Sequence, residues 1–314
     1  MRLQLGSLVA VLAVLAVVVP TAGRAQDDAV ARLRARVAES PGDVSLQCQL
    51  SFALVGAAAH EEARSLATAA IDAIPRPLTR TTRRTAGACL YNLGRAEEGL
   101  GHRREAVRAY ARSLVVRDNE AVRERLAAMV PQVESAEPMA AYATTLLEDR
   151  ESCEPHVVGS ALRVGPDVFH FVPMTAGERG YTSAVLVVLV VRDDRVVAER
   201  VDAWSHQEQG AGSSVQSVRA WRAAGLEGAV ATVSAGGGMA CGGDLGFVGV
   251  EHETTVLASF DGTRLRTRVL VTSESGCRER TRMQLRVQGG DVIVTRSRRG
   301  SLEPGTYPIP SLLR

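Results

Sequence analysis

A recurrence at 34 residues in the first third of the chain constrains its fold more than any other feature. Pro41 and Pro75 are 34 positions apart, and Ala29 and Ala63 have the same separation. Two independent landmarks with one period indicate a repeated unit that stacks on its neighbours, because one unit of this size cannot bury its own apolar face. The region is therefore predicted to be an array of helical hairpins.

The segment from Leu90 to Asp118 has the residue pattern of one such hairpin. The small residues Gly94 and Ala106 allow its two helices to approach closely, and Leu90 and Tyr110 fill the space beside that contact. The spacing, L-x2-L-G followed after a glycine turn by A-x3-Y, resembles that of the tetratricopeptide repeat (TPR).

The TPR resemblance covers residues 27–119 and implies a concave groove, lined by the first helix of each repeat, that binds another protein or a peptide. The positions that it places in this groove are Cys48, Gln49, Phe52, Val55, Tyr91, Asn92, Arg95 and Glu98. Phe52 and Tyr91 would pack an apolar anchor, whereas Asn92 and Arg95 would hold a backbone or carboxylate group. Packing between repeats, or plain exposure to solvent, is the alternative role for each residue.

Turn residues and caps divide this region into elements. The third repeat begins nine residues later than the 34-residue period predicts. Residues 76–84 (RPLTRTTRR) are expected to form a polar loop that contains these extra residues. Asp43 follows a Pro-Gly pair and is expected to cap the next helix. Helices over Glu120–Met129 and from Pro138 to about Glu148 follow, and are expected to cover the open end of the stack.

The first 25 residues have the features of a secretory signal. Arg2 precedes an unbroken apolar run from Leu8 to Val19, Pro20 ends the run, and cleavage is predicted after Ala25. The run is shorter than the roughly 20 residues that a helix needs to cross a bilayer. A retained anchor is the alternative. The mature protein is expected to be periplasmic or secreted, with no membrane span after cleavage.

Helical spacing stops between Glu148 and Pro155, and the remaining sequence is rich in Val, Thr and Gly with an alternation of period 2. About eight strands joined mostly by short turns are predicted there, with residues 213–224 as a short helix. The expected fold is therefore α + β. A TPR-like helical domain at 26–150 precedes an antiparallel β-rich domain at 151–314, built as a meander, a sandwich or a partly closed barrel.

The chain contains five cysteines, an odd number that leaves at least one thiol free or paired between chains. Cys241 with Cys277 is the preferred bridge, because both lie at loop boundaries in β-type sequence. Cys48 and Cys89 fall on neighbouring helices, whose axes usually lie about 8–10 Å apart. That spacing is marginal for a disulfide, which needs Cα atoms within roughly 7 Å.

Cys241 stands among glycines, in a setting that resembles the nucleophile loop of chymotrypsin-like cysteine proteases. A catalytic triad would need His156 or His170 together with Asp193 or Asp194, and no pattern around those residues supports the role. His170 alternates with aromatic residues and is expected at the surface. The sequence has no zinc spacing, phosphate loop or dinucleotide fingerprint, so neither a metal nor a cofactor is predicted.

Arginines alternate with apolar residues in two neighbouring predicted strands. If the strands pair, alternation puts six of them on a common side: Arg264, Arg266, Arg268, Arg280, Arg282 and Arg286. Like charges on adjacent strands repel, so such a face favours an anionic ligand such as a lipid head group, a glycan or another polyanion. A solvated outer face is the alternative.

The sequence favours binding over catalysis. The net charge of +2 gives no indication of a nucleic-acid partner. The predicted function is non-catalytic protein binding or scaffolding in the bacterial envelope through the helical groove. Anion binding through the arginine face is the second hypothesis, and a hydrolase using Cys241 is the third.

Overall fold

The computed structural model describes residues 25–131, 137–147, 153–155, 160–178, 181–203, 209–240, 247–275 and 280–313. Contacts divide the chain into two compact units, Met1–Val122 and Arg123–Arg314. The first is helical, and the second is built mainly from two antiparallel sheets. The predicted order of an α-helical region followed by an antiparallel β-rich region is confirmed. Across the described ranges, no helix is both long enough and apolar enough to cross a membrane.

The first unit is a series of helices, each packed on the next. They are α1 (residues 25–39), α2 (Val44–Gly56), α3 (His60–Ala73), α4 (Arg80–Gly99) and α5 (Arg103–Val116). Asp43 caps α2 as predicted, because its Oδ1 accepts a hydrogen bond from the N–H of Leu46 at 3.1 Å. Thr79 and Thr82 form a capping box that starts α4. The predicted loop over 76–84 is therefore wrong in its second half, which is helical.

The helical unit packs through small side chains. Ala63, Ala86 and Ala106 are fully buried. Gly94 of α4 lies directly against the ring of Tyr110 of α5, which leaves no room for a Cβ atom. The predicted close approach of these two helices at Gly94 is confirmed.

Cys48 on α2 and Cys89 on α4 form a disulfide, and their Cα atoms are 5.2 Å apart. The expectation that this pair is marginally placed is wrong, because it compared the distance between helix axes with the distance between Cα atoms. Each Cα atom lies about 2.3 Å off its helix axis, so axes at the usual spacing of about 8–10 Å still bring facing Cα atoms within the range of a disulfide. The preferred bridge between Cys241 and Cys277 lies outside the described residues.

The second unit contains a five-stranded sheet and a helix that packs on it. Helix α6 (Glu120–Met129) precedes α7 (Pro138–Thr144). The strands are β1 (Cys153–Pro155), β2 (Ser160–Val164), β3 (Asp167–Glu178), β4 (Tyr181–Arg192) and β5 (Arg195–Ala203), in the order β1-β3-β4-β5 with β2 also paired to β3. Helix α7 packs on β1, β3 and β4, so this predicted tail helix belongs to the sheet unit. Tyr142 of α7 donates a hydrogen bond to Glu199 of β5 at 3.1 Å.

A second antiparallel sheet has seven strands that are neighbours in sequence order. They are β6 (Gln209–Ala223), β7 (Leu226–Ala240), β8 (Phe247–Phe260), β9 (Leu265–Ser275), β10 (Arg280–Gln288), β11 (Asp291–Arg298) and β12 (Gly305–Pro308), and a short helix, α8 (Ile309–Leu312), follows. The prediction of a helix over 213–224 is wrong. That segment is almost entirely strand, because β6 pairs with β7 as far as Ala223 opposite Leu226.

The two sheets pack face to face through one apolar cluster. Phe169 and Phe171 of β3 and Val188 of β4 share it with Ala231 of β7 and Val256 of β8. The small alanine positions on β7 leave room for the aromatic rings of the first sheet. This arrangement is a sandwich, one of the architectures expected from the sequence.

The far end of the second sheet folds back over its own outer face. β9 and β10 pair over three positions, the last of which on β10 is Arg282. Met283 then packs in an apolar cluster with Leu270 of β9. Gly290, in the turn between β10 and β11, lies against Ala223 at the end of β6. The β10–β11 hairpin therefore crosses the face of β6–β9 that points away from the first sheet.

We expect Gly94→Ala to destabilise the protein by about 1–2 kcal/mol. A Cβ there clashes with the Tyr110 ring, so the overpacking cost should fall in the upper part of the usual range, about 2–3 kcal/mol, and the gain of roughly 1 kcal/mol in helix propensity offsets part of it. Gly42→Ala is the matched control, since a Cβ there meets nothing within 4 Å. Urea denaturation of both variants measures the effect. A Gly94→Ala protein as stable as the wild type would contradict this packing.

His170 is half-buried on β3 rather than at the surface, and burial lowers its pKa from 6.5 to about 4. Between those pH values the unfolded chain binds a proton that the folded protein does not, so stability should fall as the pH decreases through this window. We expect His170→Gln to reduce the difference in unfolding free energy measured at about pH 7 and about pH 5. An unchanged difference would show that His170 does not contribute to it.

Candidate functional site

A groove of about 690 Å³ lies in the helical unit, between α1, α2 and α4. Its volume is within the range of about 300–1,000 Å³ typical of ligand sites. Its apolar lining comprises Ala29, Leu33, Cys48, Phe52, Ala53, Ala88 and Tyr91. Its polar lining comprises Gln26, Ser45, Gln49, Arg84, Thr85 and Asn92. Three of the five predicted binding residues, Phe52, Tyr91 and Asn92, therefore line one groove.

Phe52 is the prominent apolar side chain of this groove. It is 58% exposed, more than any other large hydrophobic residue of the described ranges. The ring of Tyr91 lines the same groove from α4 and is half-buried. Covering an exposed apolar ring releases about 25 cal/mol per Å² of buried area, so these rings suit an apolar ligand side chain.

Asn92 lines the groove but is only 3% exposed. Its Nδ2 donates hydrogen bonds to the backbone oxygen of Cys48 at 2.8 Å and to Oγ of Ser51 at 2.9 Å. Both donors of the amide are thereby used to hold α4 against α2. The use of these donors inside the fold favours the alternative role of packing between repeats, and a role of Asn92 in holding a backbone or carboxylate group of a ligand stays a prediction.

Arg95 and Glu98 lie beyond the groove and are engaged with tyrosines. The Arg95 guanidinium stands 6.0 Å from the centre of the Tyr91 ring, and its Nη1 is 3.4 Å from the Tyr91 hydroxyl. Tyr110 donates a hydrogen bond to Oε2 of Glu98 at 2.6 Å. Neither residue lines the groove, so Arg95 bears on it only by supporting the Tyr91 ring.

Arg84 is a cation of the groove that was not predicted from the sequence. It is exposed, and no ion pair or hydrogen bond of its side chain is found within the described part of the chain. Among the residues of the lining that the structure describes, none carries a carboxylate. The capping box at Thr79 was the available signal: a helix that starts at residue 80 places Arg84 seven residues before Tyr91, on the same face.

The structure does not gather the six arginines of β9 and β10 on one side. Arg266 and Arg268 lie on the same face of β9 as Leu270, which belongs to the apolar cluster beneath the β10–β11 hairpin. On β10, Leu285 and Val287 pack against that cluster, and Arg286 lies between them on the opposite face of the strand. Arg286 therefore points away from the side on which Arg266 and Arg268 lie. The prediction that the six arginines share one face is wrong because β10 folds over β9.

Individual arginines of the predicted face have separate surroundings. Arg266 pairs with Asp261 at 3.1 Å. Hydrogen bonds from the Thr263 side chain and from the backbone N–H of Arg264, together with the charge of Arg266, lower the pKa of Asp261 to about 2. The side chain of Arg280 lies outside the described residues. Arg268, Arg282 and Arg286 are exposed.

Cys241, the candidate nucleophile, and His156 lie outside the described residues. Among the residues that the structure does describe, no group of three or more His, Cys, Asp or Glu side chains is placed to hold a metal ion. Asp193 and Asp194 occupy the turn between β4 and β5, both with positive φ.

Comparison of the chain with protein families, with curated proteins and with solved structures gives no match.

We expect Asn92→Ala to lower the free energy of unfolding by about 1–3 kcal/mol, because it leaves buried acceptors on α2 without their donor. Phe52→Ala should change it by less than about 0.5 kcal/mol, since the ring is largely in solvent. Chemical denaturation of the oxidised protein tests both. A large loss of stability in Phe52→Ala with none in Asn92→Ala would show that Phe52 belongs to the core and that Asn92 does not.

Proposed function

We propose that the helical unit is a TPR-like module that binds a peptide segment of a partner protein in the groove between α1, α2 and α4. The observation that carries this proposal is the exposed Phe52 ring, which shares the groove with Tyr91. A non-catalytic binding or scaffolding role accounts for both rings, because they offer contact area and no reactive group.

The chemistry of the groove defines the segment that fits it. A large apolar side chain of the ligand covers Phe52 and Tyr91. Arg84 presents a planar fork of donors that suits a carboxylate, from either an acidic side chain or a chain terminus. Because no carboxylate is among the described residues that line the groove, an acidic ligand meets no repulsion from them.

The disulfide supports action outside the cytosol. Disulfides persist in oxidising compartments such as the periplasm and the extracellular space, and one cysteine of the Cys48–Cys89 pair, Cys48, lines this groove. Together with the signal-like residues 1–25, it supports a periplasmic or secreted binding protein.

Selection of peptides from a random library on the oxidised full-length protein tests the proposal. The selected peptides should share a large apolar residue and an acidic group. In fluorescence anisotropy, Phe52→Ala should weaken a selected peptide by about tenfold or more, because buried aromatic contacts dominate interfaces of this kind. Arg84→Gln should weaken it by about threefold to tenfold, and less at high salt.

Arg64→Gln is the matched control for Arg84→Gln. Arg64 of α3, which is half-buried, does not line the groove and pairs with Glu61 one turn away, a contact of little energetic consequence. Its replacement should leave the affinity unchanged. Peptides that bind equally well to the Phe52→Ala and Arg84→Gln proteins would overturn the proposal.

A further inference from the structure

A separate polar cleft of about 460 Å³ lies on the second sheet, where the β10 strand folds over β6–β9. Eight polar residues are in its lining: Arg219, Thr232, Glu253, Thr255, Thr272, Ser273, Arg282 and Gln284. They come from five successive strands. The cleft thus belongs to the sheet itself and is independent of the helical groove.

The register of the strands places these polar groups side by side. Glu253 of β8 pairs with Ser273 of β9, and Ser273 pairs in turn with Arg282 of β10. One row further along, Thr232 of β7 pairs with Thr255 of β8. Directly opposed residues have Cβ atoms about 4.5–5.5 Å apart, so a ligand of a few ångströms can contact several of them together.

The same sheet face is apolar at its other end. Val230 precedes Thr232 on β7 by the two-residue strand period, and Leu257 follows Thr255 by the same step on the antiparallel strand β8, where it pairs with Val230. Both belong to the buried cluster beneath the β10–β11 hairpin. The hairpin covers that apolar end, whereas the hydroxyl-bearing end opens into the cleft. The change from apolar to polar along one face marks a place built for solvent or for a polar ligand.

Two cations of this cleft have unused donors. Arg219 and Arg282 are exposed, and neither side chain makes an ion pair or hydrogen bond within the described ranges. Glu253 is the acid in the lining, and its Oε1 is 3.3 Å from the hydroxyl of Thr272. Two guanidinium groups against one carboxylate leave a net positive cleft, and planar guanidinium forks match the oxygens of a phosphate.

The remaining groups suit ligand hydroxyls. The hydroxyls of Thr232, Thr255 and Ser273 can each donate and accept hydrogen bonds, and the Glu253 carboxylate can accept them. No aromatic ring is among the described residues that line the cleft, so it offers no stacking surface of the kind that holds nucleobases. We propose that this cleft binds a sugar phosphate, with Arg219 and Arg282 on the phosphate and the threonines and Glu253 on the hydroxyls.

Isothermal titration of the full-length oxidised protein with glucose 6-phosphate, inorganic phosphate and glucose tests this proposal. Glucose 6-phosphate should bind more tightly than inorganic phosphate, and glucose should give no measurable binding. Arg219→Gln and Arg282→Gln should each weaken glucose 6-phosphate by about tenfold, as expected for the loss of a charged hydrogen bond. Both arginines are exposed, so the thermal midpoint should not change.

Arg286→Gln is the control, because Arg286 is exposed on the same strand as Arg282 and does not line the cleft. It should bind like the wild type. Thr255→Val should reduce the advantage of glucose 6-phosphate over inorganic phosphate while leaving phosphate binding unchanged. Absence of glucose 6-phosphate binding, equal affinity for the two phosphates, or an equal loss in the Arg286→Gln protein would each overturn the proposal.

Discussion

The close approach of α2 and α4 is the contact on which the groove depends. A disulfide joins Cys48 to Cys89 across it, and one turn away the amide of Asn92 bonds to the backbone of α2. Phe52 follows Cys48 by about one helical turn, and Tyr91 follows Cys89 by two residues. Fixing the cysteine pair therefore fixes the separation of the two rings that line the groove, before any ligand arrives. Preorganisation of this kind reduces the entropy lost on binding.

The helical half could be predicted from the sequence because its signals are local. Caps, prolines and the 34-residue period all lie within one or two repeats, and they located the helices and brought Phe52 and Tyr91 to one surface. The errors concern hydrogen-bond partners. The sequence placed Asn92 in the groove, with packing between repeats as its alternative role, and only coordinates show that its amide already has acceptors on α2. Arg84 was missed because a run of threonines and arginines was interpreted as a loop.

The sheet half depended on long-range pairing, and there the sequence was informative only within each strand. The period-2 alternation correctly placed Leu265 and Arg266 on opposite faces of β9, and Leu285 and Arg286 on opposite faces of β10. It carries no information on what happens between strands. A register irregularity separates Glu253 from Thr254 where β8 meets β9, and β10 leaves β9 soon afterwards. These two features divide a row of arginines that looks continuous in sequence. One of those arginines, Arg282, lies instead in a cleft with Arg219 of β6.

The disulfide also has a mechanical consequence. It spans a sequence separation of 41 residues that includes the whole of α3. A force applied to the two ends of the chain passes from α2 to α4 through the sulfur atoms and never reaches the enclosed helix. The segment enclosed by the disulfide, about 140 Å of contour length at roughly 3.3–3.6 Å per residue, therefore cannot be extended by the force. The oxidised protein should lengthen less than the reduced one under load, and the two walls of the groove stay tethered even when the surrounding helices are pulled apart.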